Sequence, residues 1–197
     1  MIKIIPQHDF KKLPWKNGKG STLELAINEN GSVDNFEWRL SIATVKEDGI
    51  FSDFTGYTRN LVLIDGKGIV LHHNEKQTDY LENKLDFSTF DGANKTTAKL
   101  SSGAITDFNL MTRTRDFEGV VETFSELNQI ILKHSQICFI YGLSNSLKIE
   151  SKGLGVLEML PAGDLMQISK EGSNEIDIKV SGENFILVYI NKRTQLK

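Results

Sequence analysis

No stretch of this chain keeps the 3.6-residue apolar period of an amphipathic helix for a convincing length, while short strand-like patterns recur from one end to the other. Beyond residue 127 they fall at 130–132, 137–141, 147–149, 156–160, 165–168, 176–180 and 185–190, with turn residues between them. In the first half, residues 2–5 read as a short strand closed by Pro6, and residues 22–27 alternate as a strand. Residues 61–64 and 69–71 are apolar runs split by Asp65-Gly-Lys-Gly68, the signature of a hairpin. Residues 81–90 supply a further strand region, and the identity of 117–126, helix or strand, stays open. Many short strands with glycine-rich turns specify a sandwich or a barrel. Leu-x-x-Gly-x-aliphatic-x-x-apolar occurs twice, from Leu100 to Phe108 and from Leu160 to Ile168, each time after one set of strands and before another. That echo points to two similar β-units in tandem.

Length and charge narrow the partners. A chain of 197 residues makes one large domain or two small ones. A net charge of −3 provides no basic field for nucleic acid or an anionic membrane, so neither is expected as a partner. The opening residues carry too short an apolar run for a signal peptide, and no later stretch is long enough to span a membrane as a helix. The single cysteine, Cys138, sits among Ile137, Phe139 and Ile140 and reads as a small buried hydrophobe. A lone thiol fits a reducing compartment, and a cytoplasmic location is expected.

Residues 36–59 hold the most chemistry. Phe36, Trp38, Leu40 and Ile42 fall on one strand face, and Glu37, Arg39, Ser41 and Ala43 on the other. After a turn at Glu47-Asp48-Gly49 the segment ends at Arg59, just before an apolar run. Two arginines with the large aromatics Trp38 and Phe51 are what a pocket for a small anion needs. A guanidinium matches a carboxylate with a planar fork of donors, so Arg59 is the first candidate anchor; capping turn carbonyls is its competing role. Arg39 and Ser41 line the barrel or face solvent, and Trp38 and Phe51 stack on a ligand or pack a core. Asp107 and Asn109 alternate with Phe108 and share a face, where they hold Arg59, contact a ligand or close a turn. Asn17 and Thr22 read as turn residues, and the loop Asn17-Gly-Lys-Gly20 lacks the P-loop pattern and leads into a strand.

A metal is not expected. Small β-barrels often bind one through Gly-x5-His-x-His-x3–4-Glu and Pro-x-Gly-x2-His-x3-Asn. Here Gly66 leads to His72, but Asn74 and Asp79 fill the next positions, and Thr106 and Met166 stand where the second motif has its histidine. Three or four nitrogen, sulfur or carboxylate ligands are needed, and neither half supplies them. His72 and His73, adjacent on a strand, point to opposite faces and read as polar strand-end residues, while His8 and His134 have no companions at ligand spacing.

Four blocks carry a family resemblance: residues 15–24 (Trp-Lys-Asn-Gly-Lys-Gly-Ser-Thr-Leu-Glu), 38–43 (Trp-Arg-Leu-Ser-Ile-Ala), 49–59 (Gly-Ile-Phe-Ser-Asp-Phe-Thr-Gly-Tyr-Thr-Arg) and 107–113 (Asp-Phe-Asn-Leu-Met-Thr-Arg). In order and spacing they resemble the HutD/Ves family of bacterial double-cupin proteins. Lys19 stands where a glycine is expected, and Thr114 splits what is often an adjacent arginine pair. The resemblance implies an all-β bicupin, two tandem antiparallel jelly-roll barrels, with boundaries expected at 1–126 and 127–197 and strands exchanged between the halves. It also implies a link to histidine utilisation, in a regulatory capacity, or to the stress-associated Ves branch. The expectation is therefore a metal-free, cofactor-free protein that binds a small carboxylate-bearing metabolite through Arg59, Asp107, Asn109, Arg39, Ser41, Trp38 and Phe51, with homodimer formation open. A metal-independent isomerase or hydrolase, using Asp107 or His72 for proton transfer, is the alternative.

Overall fold

The structure is a computed structural model and describes residues 1–15, 21–133, 135–151, 155–169 and 177–194. Among these the regular elements are β-strands, apart from one 3-10 turn at Gln7–Asp9, and no helix is long and apolar enough to cross a membrane. All strand pairings are antiparallel, and the chain is the all-β double cupin that the resemblance implies. It divides into two compact units. The loop at 16–20, His134 and the start of the 176–180 strand signal lie outside the described residues.

One unit comprises residues 10–119 with the last few of the chain. Its larger sheet has six strands in the order Lys11–Pro14, Ser21–Ile27, Trp38–Val45, Ile105–Arg113, Tyr57–Asp65 and Phe87–Asp91. The smaller sheet orders Gly49–Ile50, Thr96–Leu100, Ile69–His73 and Gln77–Leu81. A core of Leu61, Leu63, Ile69, Leu71, Leu81, Ala98 and Ile105 draws on strands of both sheets, and all of these are essentially inaccessible. Burying a side chain of this size contributes roughly 1.5–3 kcal/mol, so this row of aliphatics drives the unit's closure.

Two sequence expectations change here. The runs at 61–64 and 69–71 do not form a hairpin: Tyr57–Asp65 and Ile69–His73 lie in different sheets. Gly66 (φ 104°) and Gly68 (φ 113°) turn the chain from one sheet to the other. A Cβ on Gly66 would sit 2.6 Å from Ile105 Cγ2, so the corner is pressed against the core. Likewise residues 81–90 are not one strand. Gln77–Leu81 and Phe87–Asp91 belong to opposite sheets, and Asp86 accepts from the amides of Glu82 and Asn83 to hold the bend between them.

The other unit comprises residues 1–9 and 120–192. Its five-stranded sheet orders Ile2–Ile5, Leu165–Ser169, Ile137–Gly142, Phe185–Lys192 and Phe117–Phe124, and its four-stranded sheet Asn128–Ile131, Lys179–Gly182, Leu147–Ser151 and Val156–Leu160. The ambiguous segment 117–126 is thus strand as far as Phe124. Ile2–Ile5 pairs with Leu165–Ser169, placing the first strand of the chain in the unit built mainly from its last third. Cys138 is buried in the core beside Ile140, Met166 and Tyr189. The sequence echo occupies equivalent corners: Thr96–Leu100 turns into Ile105–Arg113 through Gly103 (φ 71°), and Val156–Leu160 turns into Leu165–Ser169 through Gly163 (φ 84°). Each corner carries the chain from the smaller sheet of its unit to the larger.

Candidate functional site

Strand register decides which side chains meet inside the first unit. Ile105–Arg113 is the middle strand, paired on one side with Trp38–Val45 and on the other with Tyr57–Asp65. Residues opposite one another across a ladder project from the same face. Three rows follow. Met111 stands between Arg39 and Arg59, Asn109 between Ser41 and Leu61, and Asp107 between Ala43 and Leu63. Ser21–Ile27 extends the sheet, with Glu24 opposite Ser41 and Thr22 opposite Ala43. Polar residues at three alternating positions on neighbouring strands therefore come onto one interior face.

This face lines an open cavity of about 820 Å³. Its far wall and mouth come from residues 46–54, which include Phe51 and Phe54, and from Leu13, Pro14 and Trp15. Trp15 Nε1 donates to Thr22 Oγ1 at 2.9 Å, tying that wall to the sheet, so Thr22 is a strand residue and not a turn residue. Asp34, Lys46, Glu47 and Asp48 form an exposed, charged rim.

The two arginines differ in their partners. Arg39 Nε donates to Glu24 Oε2 at 2.8 Å, and both side chains are more than nine-tenths buried. Arg59 is 6% exposed, and its Nε has no hydrogen-bond partner among the described residues. Its guanidinium carbon instead lies 5.1 Å from the ring centroid of Phe51, 5.4 Å from that of Phe54 and 5.1 Å from that of Phe90. Three rings around a cation offer quadrupole attraction but no hydrogen-bond acceptor in a carboxylate's geometry. Burial lowers the Arg59 pKa to about 10, with the charge of Asp107 opposing that fall. The guanidinium stays protonated at physiological pH.

Asp107 is 2% exposed and accepts a hydrogen bond from Asn109 Nδ2, while Asn109 Oδ1 is buried without a partner among the described residues. Burial pushes the Asp107 carboxyl up to about 7, against the Asn109 hydrogen bond and the Arg59 charge, which both favour the carboxylate. The cavity thus holds a buried cation with unused donor capacity, a carboxyl group that changes charge near neutrality, and an amide with a free acceptor.

Of the residues singled out in the sequence, Arg59, Asp107, Asn109, Arg39, Ser41 and Phe51 are brought together around this cavity. Trp38 is buried but does not line it, because strand alternation puts it on the face opposite Arg39 and Ser41. Reasoning from sequence missed Trp15, Glu24, Phe54 and Phe90. The first three stand within the family-resembling blocks at 15–24 and 49–59, which are the available signal; Phe90 has none.

The histidines need one correction. His73 does end its strand, but as a buried group, 1% exposed, its Nδ1 2.9 Å from Thr96 Oγ1 and its Nε2 3.2 Å from Asp79 Oδ2. Ser88 also donates to Asp79, and the His73 ring lies tilted by 37° against Phe90, with centroids 4.6 Å apart. His72 is exposed and bonds to Thr78. Among the described residues no three His, Cys, Asp or Glu side chains group to hold a metal ion.

Comparison with known proteins bears on the same residues. The family model HutD matches residues 7–188. An uncharacterized 21.2 kDa protein in the hutC 3′ region of Pseudomonas putida is 28% identical over 192 residues, 97% of this chain and 98% of the relative. Protein Ves of Citrobacter koseri is 37% identical over 109 residues, 53% of this chain and 56% of Ves. The structure of HutD from Pseudomonas fluorescens SBW25, determined in a formate condition, superposes with a TM-score of 0.83 at 27% identity, covering 98% of this chain and all of that one.

Proposed function

The chain belongs to the HutD family, and from that premise we propose that its first barrel binds a small carboxylate-bearing metabolite, in a regulatory role in histidine utilisation or stress response. The observation that carries the reading is Arg59, a buried guanidinium held by three aromatic rings whose Nε lacks a hydrogen-bond partner. A charge-assisted, two-pronged bond to an incoming carboxylate satisfies such a group, and the burial of Arg59 strengthens that bond. The Pseudomonas putida relative named for the hutC region supports the histidine-utilisation setting, and the Ves relatives match the other branch of the resemblance. Calorimetry of the purified protein with urocanate and with N-formylglutamate tests the proposal. Binding of either, lost in Arg59→Ala, supports it; no binding of any, or unchanged binding in the variant, overturns it.

A second reading is a metal-independent isomerase or hydrolase acting on a small acid. Asp107 favours it, because a carboxyl raised to about 7 has the proton affinity that general acid–base chemistry uses at neutral pH. Turnover of a candidate metabolite that disappears in Asp107→Asn promotes this reading over binding alone.

A further inference from the structure

Charge counting in the cavity leads past the identity of the anchor. Two arginines line it, but Arg39 is already matched by Glu24 at 2.8 Å, both buried. Among the described residues that leaves Arg59 as the unpaired buried cation and Asp107, 2% exposed, as the carboxyl whose charge acts on it. The strands flanking Asp107 place the uncharged Ala43 and Leu63 directly opposite it. On its own strand Asn109 donates to it, and the remaining charges, Asp34, Lys46, Glu47 and Asp48, stand exposed at the mouth. A ligand carboxylate that seats on Arg59 therefore brings a second acid group into a buried space where, among the described residues, one unpaired cation balances it. Two carboxylates sharing such a site do not both stay ionised; one takes a proton.

We propose that Asp107 is the group that takes it, so that the site binds an anion together with one proton and its affinity rises as the pH falls. This rests on the carboxylate reading of the cavity. Protonated Asp107 changes role from competing anion to hydrogen-bond donor, because its O–H points a proton at the oxygen-rich ligand while Arg59 supplies the fork. The Asn109 amide, with Oδ1 free and Nδ2 on Asp107, adapts to either state, since a neutral carboxyl both donates and accepts. Specificity follows. The site favours small carboxylates, whose charge one guanidinium balances, and disfavours anions that bring no acceptor within reach of Asp107.

The test is calorimetry of the whole protein with N-formylglutamate, whose own groups do not titrate between pH 6 and 8, repeated in MOPS and in imidazole. The two buffers differ in ionisation heat, so the difference in observed heat counts protons. The expected result for the wild-type protein is uptake approaching one proton per ligand at pH 8, less at pH 6, with affinity falling up to about tenfold per pH unit above neutrality. Asp107→Asn is expected to bind with a pH-independent affinity and no uptake. Wild-type binding that ignores pH and buffer overturns the proton coupling while leaving the carboxylate site standing. Absence of binding at every pH overturns both. The wild-type buffer comparison needs no variant, so a misfolded Asp107→Asn does not blunt the test.

Discussion

Arg39 and Arg59 stand in one cross-strand row on either side of Met111, yet among the described residues only Arg39 has a carboxylate on its guanidinium. The difference comes from the neighbouring strand: Ser21–Ile27 delivers Glu24 to Arg39, while the strand beyond Arg59, Phe87–Asp91, delivers the Phe90 ring. Removing Glu24 alone leaves Arg39 buried and uncompensated. Glu24→Ala is expected to cost about 3–5 kcal/mol in urea denaturation, while the double change Glu24→Leu with Arg39→Met recovers most of it. Equal losses in the single and the double variant contradict a buried ion pair balanced in this way.

Arg59→Lys keeps the charge and discards the fork and the flat surface that lies against Phe51, Phe54 and Phe90. An ammonium makes a point contact, so binding of the carboxylate probe is expected to weaken at least about tenfold, equivalent to about 1.4 kcal/mol. Arg59→Ala abolishes it. Calorimetry on both variants gives the comparison, and wild-type affinity in Arg59→Lys means that charge without geometry suffices.

Asp107 makes stability depend on pH. Its pKa in the folded protein is about 7, raised from 3.8 by burial, so between those values the folded state holds the proton more tightly than the unfolded chain. Unfolding therefore releases a proton in that window, and the contribution of Asp107 to stability falls as pH rises from about 4 to about 7, then stays level. The wild-type protein is expected to lose stability relative to Asp107→Asn across that range, by at most about 4 kcal/mol. Denaturant midpoints of both proteins at pH 5 and pH 8 measure it. Parallel profiles for the two proteins count against a buried, titrating carboxyl.

Strand alternation made part of this cavity legible in the sequence. Arg39, Ser41 and Ala43 on one face of a strand, and Asp107 with Asn109 on another, reach the interior because a period of two leaves each strand only two choices of face. What alternation does not encode is which strand lies beside which. Asp65-Gly-Lys-Gly68 has the same local chemistry whether the next strand pairs back or crosses to the other sheet, and it crosses. For the same reason Glu24, Trp15 and Phe90 were invisible as neighbours of the arginines, since each arrives through a pairing or a fold-back fixed only by tertiary packing. His73 reads as a strand-end residue in one dimension and is buried because Gln77–Leu81 and Phe87–Asp91 bring Asp79, Ser88 and Phe90 around it.

The aromatic cage itself depends on a glycine outside the cavity wall. Gly92 accepts from the Phe54 amide at 3.0 Å and donates to the Tyr57 carbonyl at 2.7 Å, pinning the turn that carries Phe54 over Arg59. A Cβ on Gly92 would lie 2.3 Å from the Phe54 carbonyl oxygen and 2.8 Å from that of Tyr57, which is backbone and cannot swing aside. Gly92→Ala therefore has to push the turn outward, lengthening the Phe54–Arg59 contact. A loss of about 1–3 kcal/mol in denaturation is expected from the clash. The carboxylate probe should bind more weakly as well, because the ring that shields the guanidinium from water has moved. A core truncation such as Leu71→Ala, which empties space away from the cage, supplies the contrast: a comparable or larger stability loss, about 2–5 kcal/mol, with binding of the folded protein retained. If both variants lose binding in proportion to stability, the Phe54 turn has no separate role in holding Arg59 ready for its ligand.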